Sequence, residues 1–284
     1  MITRHYRVAG HTFAVSGKAE LFELMGNYEP FECEGGEPLF SLTEDSGIAP
    51  EYTEVSQQKG EFICGHTASE NNVFDFSFGK ETRGCLIWSK DYREGRLVIT
   101  GGNPKLMLDR ALMIMYALAT AGQDTLILHA VVVSCEGKGY IFLGPMRSGK
   151  STHARLWIEH IEGTELVNDD YPVVRGGMVY GSPWGSIIPC FRNVSYPIGG
   201  MVMLSQAPYN KIHHLSGIEA YLNLFVRVWG TDLDKYIAED IAEGWHQTMN
   251  RLVSTIPMWH LECLPNEAAA RLCYETITKW VVEK

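Results

Sequence analysis

One stretch of the chain combines the residue types that bind phosphate groups. A glycine, four further residues and Gly-Lys-Ser stand between an apolar, strand-like segment, 139–143, and a helix-like segment, 152–160. Free amides and the dipole of a helix N-terminus attract anions, a lysine offsets phosphate charge, and a serine hydroxyl can ligate Mg²⁺. An ordinary Gly-rich turn with an exposed lysine is the structural alternative. The residues predicted to bind a nucleotide are Gly144, Pro145, Met146, Arg147, Ser148, Gly149, Lys150, Ser151 and Thr152.

Two carboxylates follow this loop at the distance of a helix and a return strand. Segment 165–170 is typical of a strand, and it ends in Asp169 and Asp170, the first of them 18 positions after Ser151. Together with Ser151, the pair is predicted to hold Mg²⁺, and either carboxylate could accept a proton from an attacking hydroxyl. Adjacent side chains on a strand point to opposite faces, so we expect only one to face the nucleotide directly. The structural alternative is an Asp pair that caps the turn that follows.

Composition narrows the class of protein. Of the 284 residues, 45% are hydrophobic and 20% charged, as in an ordinary globular protein. The net charge of −10 argues against nucleic-acid or anionic-membrane partners, so an anionic ligand needs a local cationic site. The seven cysteines are scattered without a CxxC pair, and neither a signal-peptide core nor a membrane-spanning apolar run is visible. These features predict a cytoplasmic protein.

The chain divides into two predicted regions. The sequence of residues 1–103 is typical of a β-rich region and shows no group of catalytic residues, so the region is assigned to substrate recognition or packing. Residues 104–284 begin with a helix that Asn103 caps, with proline at its first position. A strand predicted at 126–133 and a tight turn at 136–139 indicate that a β-hairpin leads into the loop. In a parallel sheet, a long crossover connection would precede the loop instead. Further predicted elements are a hairpin at 173–180, strands at 198–204 and 258–263, and helices at 217–228, 233–253 and 266–281.

These motifs together resemble the kinase domain of the HPr serine kinase/phosphorylase family. The residues that carry the resemblance are Leu128-His129-Ala130-Val131, Gly139 to Thr152, and Leu166 to Asp170. Over roughly residues 105–284 it implies an α/β, mixed-sheet P-loop kinase fold like that of phosphoenolpyruvate carboxykinase, with a smaller β-rich N-terminal region beside it. It also implies ATP and Mg²⁺ as cofactors. A histidine near the acidic pair assists catalysis in that family, and the resemblance transfers this role to His129, for which a structural core histidine is the alternative.

One family signature is missing. Bifunctional members carry a Glu-X-Arg-Gly motif after the acidic strand, whereas the corresponding segment, 185–193, lacks it. Neither dephosphorylation nor recognition of HPr itself is therefore implied. Arg192 is the local candidate for stabilising phosphate charge, because a guanidinium can bind phosphate oxygens in a bidentate manner. An ordinary loop arginine is the alternative.

The resulting hypothesis is an ATP- and Mg²⁺-dependent kinase that acts on a serine or other hydroxyl of a protein, peptide or small molecule. Lys150 would offset charge on the transferring phosphoryl group, and Asp169 or Asp170 would activate the hydroxyl with His129 behind it. Two alternatives stay open: a carboxykinase-type enzyme that acts on a small acid, and a nucleotide-binding module without chemistry. The acceptor, the base preference and the oligomeric state, including a homo-oligomer, are left undecided by the sequence.

Overall fold

Two mixed β-sheets with helices packed on them make this an α/β chain. The chain divides into two compact units, Met1–Ala121 with Leu233–Ile241, and Gly122–Asp232 with Ala242–Lys284. The computed structural model describes residues 1–58, 62–69, 71–78, 82–185, 190–233 and 238–279.

The first unit contains one sheet with the strand order β3-β1-β2-β4-β9-β8-β7-β6-β5. The β2–β4 and β4–β9 pairs are parallel. The β-rich character predicted for this region is therefore confirmed. Its strands are β1 (Ile2–Val8), β2 (His11–Gly17), β3 (Glu32–Cys33), β4 (Phe40–Asp45), β5 (Thr53–Gln58), β6 (Phe62–His66), β7 (Asn72–Phe78), β8 (Thr82–Trp88) and β9 (Glu94–Ile99), and its helices are α1 (Ala19–Glu23), a 3₁₀ helix (Gly26–Phe31) and α2 (Pro104–Ala119).

Helix α2 starts where the sequence predicts it. The side chain of Asn103 accepts a hydrogen bond from the Leu106 amide at 3.1 Å, and proline occupies the first helical position. The predicted boundary at 103/104 and the compact units nevertheless divide the chain at different places. The helix belongs to the first unit because its apolar side chains are buried there and the Tyr116 hydroxyl donates to the Val8 carbonyl at 3.0 Å.

The second unit contains a sheet with the strand order β10-β14-β15-β16-β12-β11-β13, and β18 joins β16 to β17. Helices α3 and α6 pack against each other and share a core with the sheet that includes Phe142, Trp157 and Trp259. The strands of the second unit are β10 (Thr125–Ile127), β11 (Ala130–Cys135), β12 (Lys138–Leu143), β13 (Glu165–Asn168), β14 (Val173–Arg175), β15 (Met178–Tyr180), β16 (Ser195–Gln206), β17 (Lys211–Leu215) and β18 (Met258–Cys263), and its helices are α3 (Lys150–His160), α4 (Gly217–Phe225) and α6 (Glu267–Thr278). A 3₁₀ helix (Thr231–Leu233) and helix α5 (Glu239–Thr255) each contain residues of both units.

Strand direction brings the predicted site segments to one edge of this sheet. Strand β11 is antiparallel to both β12 and β13, so β12 and β13 run the same way and their carboxyl ends lie at the same edge. The loop that follows β12 and the acidic pair that follows β13 therefore leave the sheet together. His129, which immediately precedes β11, enters at that edge. Strands β16 and β18 also run parallel to β12 and end there.

The β11–β12 hairpin that feeds the loop is confirmed, but the single strand predicted over 126–133 is wrong. Leu128 and His129 separate β10 from β11, and they pair elsewhere. Leu128 forms an isolated bridge with Val228, and the His129 amide donates to the Arg227 carbonyl at 2.8 Å. The apolar run cannot reveal this break, because the partner segment lies about 100 residues further along the chain.

No helix within the described ranges combines the length and apolarity needed to cross a bilayer.

Candidate functional site

The loop between β12 and α3 enters the helix through a glycine in the left-handed region. Gly149 precedes the first helical residue with φ of 104°, a left-handed value that residues with a Cβ rarely adopt. The loop is braced internally by the Ser148 amide, which donates to the Pro145 carbonyl at 3.1 Å. From outside, the Gln206 side chain donates to the Arg147 carbonyl at 2.9 Å. The helix N-terminus is thus held with its free amides at the edge of the sheet, where they can bind an anion.

Lys150 lies folded against this loop. It is only 8% exposed, and its Nζ donates to the carbonyls of Gly144 at 2.9 Å and Pro145 at 3.3 Å. Burial is the main reason that the pKa of Lys150 is lowered; Asp170 opposes this effect and Arg227 adds to it. These charge effects place a carboxylate and a second cation within electrostatic reach of the loop lysine.

His129 connects the lysine to the acidic pair. Its Nε2 lies 3.5 Å from Lys150 Nζ and 3.3 Å from Asp170 Oδ1. Backbone pairing sets this proximity, because the Ala130 amide donates to the Asp170 carbonyl at 2.9 Å. The ring also stacks on Tyr171 with the centroids 5.8 Å apart. One nitrogen can therefore pair with either the Lys150 amine or the Asp170 carboxylate, depending on where the imidazole proton resides.

A buried asparagine shapes the backbone at the acidic pair. Asn168 is fully buried, and its Nδ2 donates to Ser182 Oγ and to the Trp184 carbonyl, both at 3.1 Å. Its Oδ1 accepts the Asp170 amide at 3.0 Å, which is the geometry of an Asx turn. This turn ends β13 and directs the two carboxylates to different surroundings. No role was predicted for Asn168 from the sequence, although an Asn before an Asp pair is a recognisable turn signal.

Asp169 lies on the other side of the pair. It is buried and lines a cavity of about 340 Å³ together with Ser151. Gly185 closes against it so tightly that an added Cβ would lie 2.6 Å from Asp169 Oδ1. Of the predicted metal ligands, Ser151 and Asp169 therefore share one cavity, while Asp170 faces His129.

The cavity contributes only a few oxygen ligands. This suits Mg²⁺ better than a metal ion that is held entirely by protein side chains. Within the described ranges, no group of three or more His, Cys, Asp or Glu side chains is arranged to hold a metal ion. Mg²⁺ commonly uses one or two carboxylates and takes its remaining oxygens from water and substrate phosphates. A hydroxyl from Ser151 and a carboxylate from Asp169, beside the loop predicted to bind phosphate, match that pattern.

Arg227 is a candidate that the sequence analysis missed. Its backbone carbonyl accepts the His129 amide, and its charge acts on Lys150. The Nε atom is buried, and among the described residues it has no hydrogen-bond partner. A half-buried guanidinium next to a lysine suits an anion as partner. Its sequence context, a single arginine between valines, gives no spacing signal.

The Arg192 side chain is hydrogen-bonded to strand β13. Its guanidinium donates to the Leu166 carbonyl at 2.7 Å and to the Glu165 carboxylate at 2.8 Å, so it is engaged on β13. Phosphate stabilisation by Arg192 stays a prediction. Residues 186–189, part of the segment compared with the missing family signature, lie outside the described residues.

The remaining loop residues differ in exposure. Pro145, Met146 and Arg147 are exposed, and Met146 reaches 79%. Thr152 lines the cavity shared by Ser151 and Asp169, and it also borders a second cavity on α3. The predicted loop residues therefore divide into an exposed tip and a base that faces two cavities.

His153, one turn into α3, has a structural role. It is 3% exposed, and its Nε2 accepts a hydrogen bond from the Trp157 indole at 3.1 Å. Burial lowers its pKa from 6.5 to about 4, so the ring is neutral at physiological pH.

Among known proteins, no protein-family model and no curated protein matches this chain.

Proposed function

We propose that the chain is an ATP- and Mg²⁺-dependent kinase of the HPr serine kinase type, with a P-loop kinase fold in its second unit. The acceptor is a serine or other hydroxyl of a protein, peptide or small molecule. One observation carries the proposal: His129 Nε2 lies within 3.5 Å of the loop lysine and 3.3 Å from Asp170. A loop that only bound a nucleotide would not need a proton-transferring pair beside its lysine.

The loop amides, Lys150 and Arg227 have different roles in binding the phosphates. The loop amides and Lys150 bind the β- and γ-phosphates, as in other loops of this sequence pattern. Arg227 offsets charge on the transferring phosphoryl group, because its partly buried guanidinium acts electrostatically on the same lysine. Their mutual repulsion is relieved when an anion lies between them.

In this proposal Asp170 accepts the proton of the attacking hydroxyl. Its contact with His129 orients the carboxylate and gives the proton an onward acceptor. Asp169 and Ser151 are the residues that would hold Mg²⁺. The ion, when bound, would neutralise charge on the phosphate oxygens. Phosphoryl transfer needs no covalent intermediate on the protein, because positioning and electrostatic stabilisation accelerate it.

The test separates binding from transfer. Binding of Mg·ATP is measured by calorimetry, and transfer from γ-labelled ATP is measured with serine-bearing peptides and small hydroxyl compounds as acceptors. Asp170→Asn should lower transfer by about 100-fold or more while ATP still binds. Lys150→Ala should weaken ATP binding by about tenfold or more. Lys138→Ala, at the exposed opposite end of β12, is the matched control and should change neither.

Three outcomes would contradict the proposal. Phosphate transfer that survives Lys150→Ala would remove the loop from the reaction. Decarboxylation of oxaloacetate with no phosphorylation of hydroxyl acceptors would instead favour the carboxykinase alternative. Tight ATP binding without turnover on every acceptor class would favour the non-catalytic module.

A further inference from the structure

Two histidines lie opposite each other on strands β17 and β18. His213 on β17 pairs with His260 on β18, and their ring centroids are 5.3 Å apart with the ring planes at 65°. Side chains directly opposite each other in an antiparallel pair lie on the same face of the sheet. His213 is exposed and His260 is partly exposed, so a small solute can reach both rings from solvent.

The spacing of the two rings matches that of two imidazoles bound to one metal ion. Zn²⁺ lies about 2 Å from an imidazole nitrogen, which places it about 3.2 Å from the ring centroid. With a tetrahedral angle of about 109° between the ligands, the centroids of two bound rings lie about 5.2 Å apart. The observed separation of 5.3 Å agrees with this value. Imidazole suits Zn²⁺, Cu²⁺ and Ni²⁺, whereas Mg²⁺ prefers oxygen ligands.

A serine on the neighbouring strand contacts the His260 ring. Ser205 Oγ, near the end of β16, lies 2.8 Å from His260 Nε2. When Nε2 carries the imidazole proton, it donates to Ser205 and leaves the Nδ1 lone pair for a metal ion. Metal-binding histidines almost always make such a hydrogen bond with their other nitrogen, because it fixes the tautomer and the orientation of the ring. Ser205 is therefore placed as a positioning residue for His260.

Two carboxylates add negative charge around the histidine pair. Burial is the main reason that the pKa of His260 is lowered and His213 adds to this effect, whereas Glu262 and Glu219 oppose it. Both carboxylates therefore act electrostatically on the ring, and they favour a cation beside it. Over the described ranges, no set of three or more His, Cys, Asp or Glu side chains is arranged to hold a metal ion. A metal ion on the two rings would thus keep water ligands.

We infer that His213 and His260 bind a divalent transition-metal ion such as Zn²⁺, with Ser205 orienting the His260 ring. The ion has two nitrogen ligands from the protein and completes its coordination with water. The site shares no residue with the predicted Mg²⁺ site at Ser151 and Asp169. It therefore does not depend on the proposed kinase function.

Calorimetry with Zn²⁺ tests the site on the full chain, after treatment with a chelator and with excess Mg²⁺ present to occupy oxygen sites. His213→Ala should weaken Zn²⁺ binding by about tenfold or more, because one of the two protein ligands is lost. His214→Ala is the matched control. His214 is the next residue on β17, and its ring lies against Trp259 on the opposite face of the sheet. This control should leave the affinity for Zn²⁺ unchanged.

Two variants of Ser205 distinguish orientation of the ring from general damage. Ser205→Ala removes the hydroxyl and should weaken Zn²⁺ binding by about tenfold, although Ser205 is not itself a ligand. Ser205→Thr keeps a hydroxyl and should restore most of the affinity. Unchanged Zn²⁺ affinity in Ser205→Ala would overturn the positioning role.

An NMR titration locates the ion without any substitution. The ring resonances of His213 and His260 should shift together over the Zn²⁺ concentrations at which calorimetry detects binding, while those of His214 should not shift. Three results would overturn the site: no Zn²⁺ binding by the wild-type protein, equal affinity in wild type and His213→Ala, or shifts confined to other histidines.

Discussion

Acid should destabilise the protein through His153, and the size of this effect can be worked out from its surroundings. The imidazole is buried against Phe142 and accepts the Trp157 indole N–H, so a proton gains no solvation there. Its pKa in the folded protein is about 4, against 6.5 for an exposed histidine. The folded state therefore binds fewer protons than the unfolded state between these two values. Stability is fully present above pH 6.5 and falls as the pH decreases towards 4.

The magnitude follows from proton linkage. At pH 5, nearly every unfolded chain carries the proton on this ring, whereas roughly a tenth of the folded chains do. The free energy of unfolding should thus be about 2 kcal/mol lower at pH 5 than at pH 8 on account of His153 alone. The loss should level off near about 3 kcal/mol below pH 4.

Urea unfolding of the wild-type protein and His153→Gln at both pH values measures this contribution. Glutamine keeps an acceptor for the indole and does not titrate, and all other titrating groups cancel in the comparison. The variant should lose about 2 kcal/mol less between pH 8 and pH 5 than the wild-type protein. His160→Gln, at the other end of α3 and beside two glutamates, is the control and should retain the His153 loss. Equal losses in wild type and His153→Gln, or an NMR titration of His153 near pH 6.5, would refute the reasoning.

Three further predictions concern the acidic pair and the lysine. Asn168→Ala should lower the free energy of unfolding by about 3 kcal/mol, because several buried polar groups lose their partner; urea unfolding checks this. Gly185→Ala should displace the Asp169 carboxylate and lower Mg²⁺-dependent ATP turnover by about 100-fold with the fold retained, as judged by Mg²⁺ titration and circular dichroism. ATP affinity should fall as the pH rises through the lowered pKa of Lys150, since the neutral amine no longer offsets phosphate charge. Arg227→Gln removes one cause of the lowering, so calorimetry should place the fall at higher pH.

Matched substitutions distinguish these effects from general damage. Asn250→Ala removes an exposed amide on α5 and should leave stability within about 0.5 kcal/mol of wild type. Gly36→Ala adds a Cβ where no atom lies within 4 Å, so turnover should not change. Full Mg²⁺ dependence in Gly185→Ala would show that Asp169 does not hold the ion. An alkaline limb at the same pH in wild type and Arg227→Gln would show that the two cations do not interact.

Local signals in the sequence were sufficient to predict many elements of the second unit. Three local signals determine a backbone conformation through nearby residues alone: the loop glycines, the turn at 136–139 and the Gly-Gly turn at 176–177. The structure accordingly has the β11–β12 hairpin, the β14–β15 hairpin and a helix directly after the loop. The strand predicted at 258–263 coincides with β18.

Features that depend on distant partners were not predictable in the same way. The break at His129 arises because its amide pairs with the Arg227 carbonyl, and an apolar run of strand-forming residues carries no trace of that pairing. The helical periodicity of α2 shows which face is apolar, but it does not reveal that the helix packs in the first unit. Likewise, the alternation rule predicted that Asp169 and Asp170 differ in direction without saying what either one meets.

The directions of three strands explain why such widely separated residues can form one site. If β13 ran antiparallel to β12, Asp170 would leave the opposite edge of the sheet and could not contact His129. Because β11 is antiparallel to both neighbours, the residue before it and the residues after them meet at one edge. The same geometry brings the ends of β16 and β18 to the loop, where they border a cavity together with Ser148, Gly149 and Thr152. The loop supplies the candidate anion site, and the order and direction of the strands determine which other groups reach it.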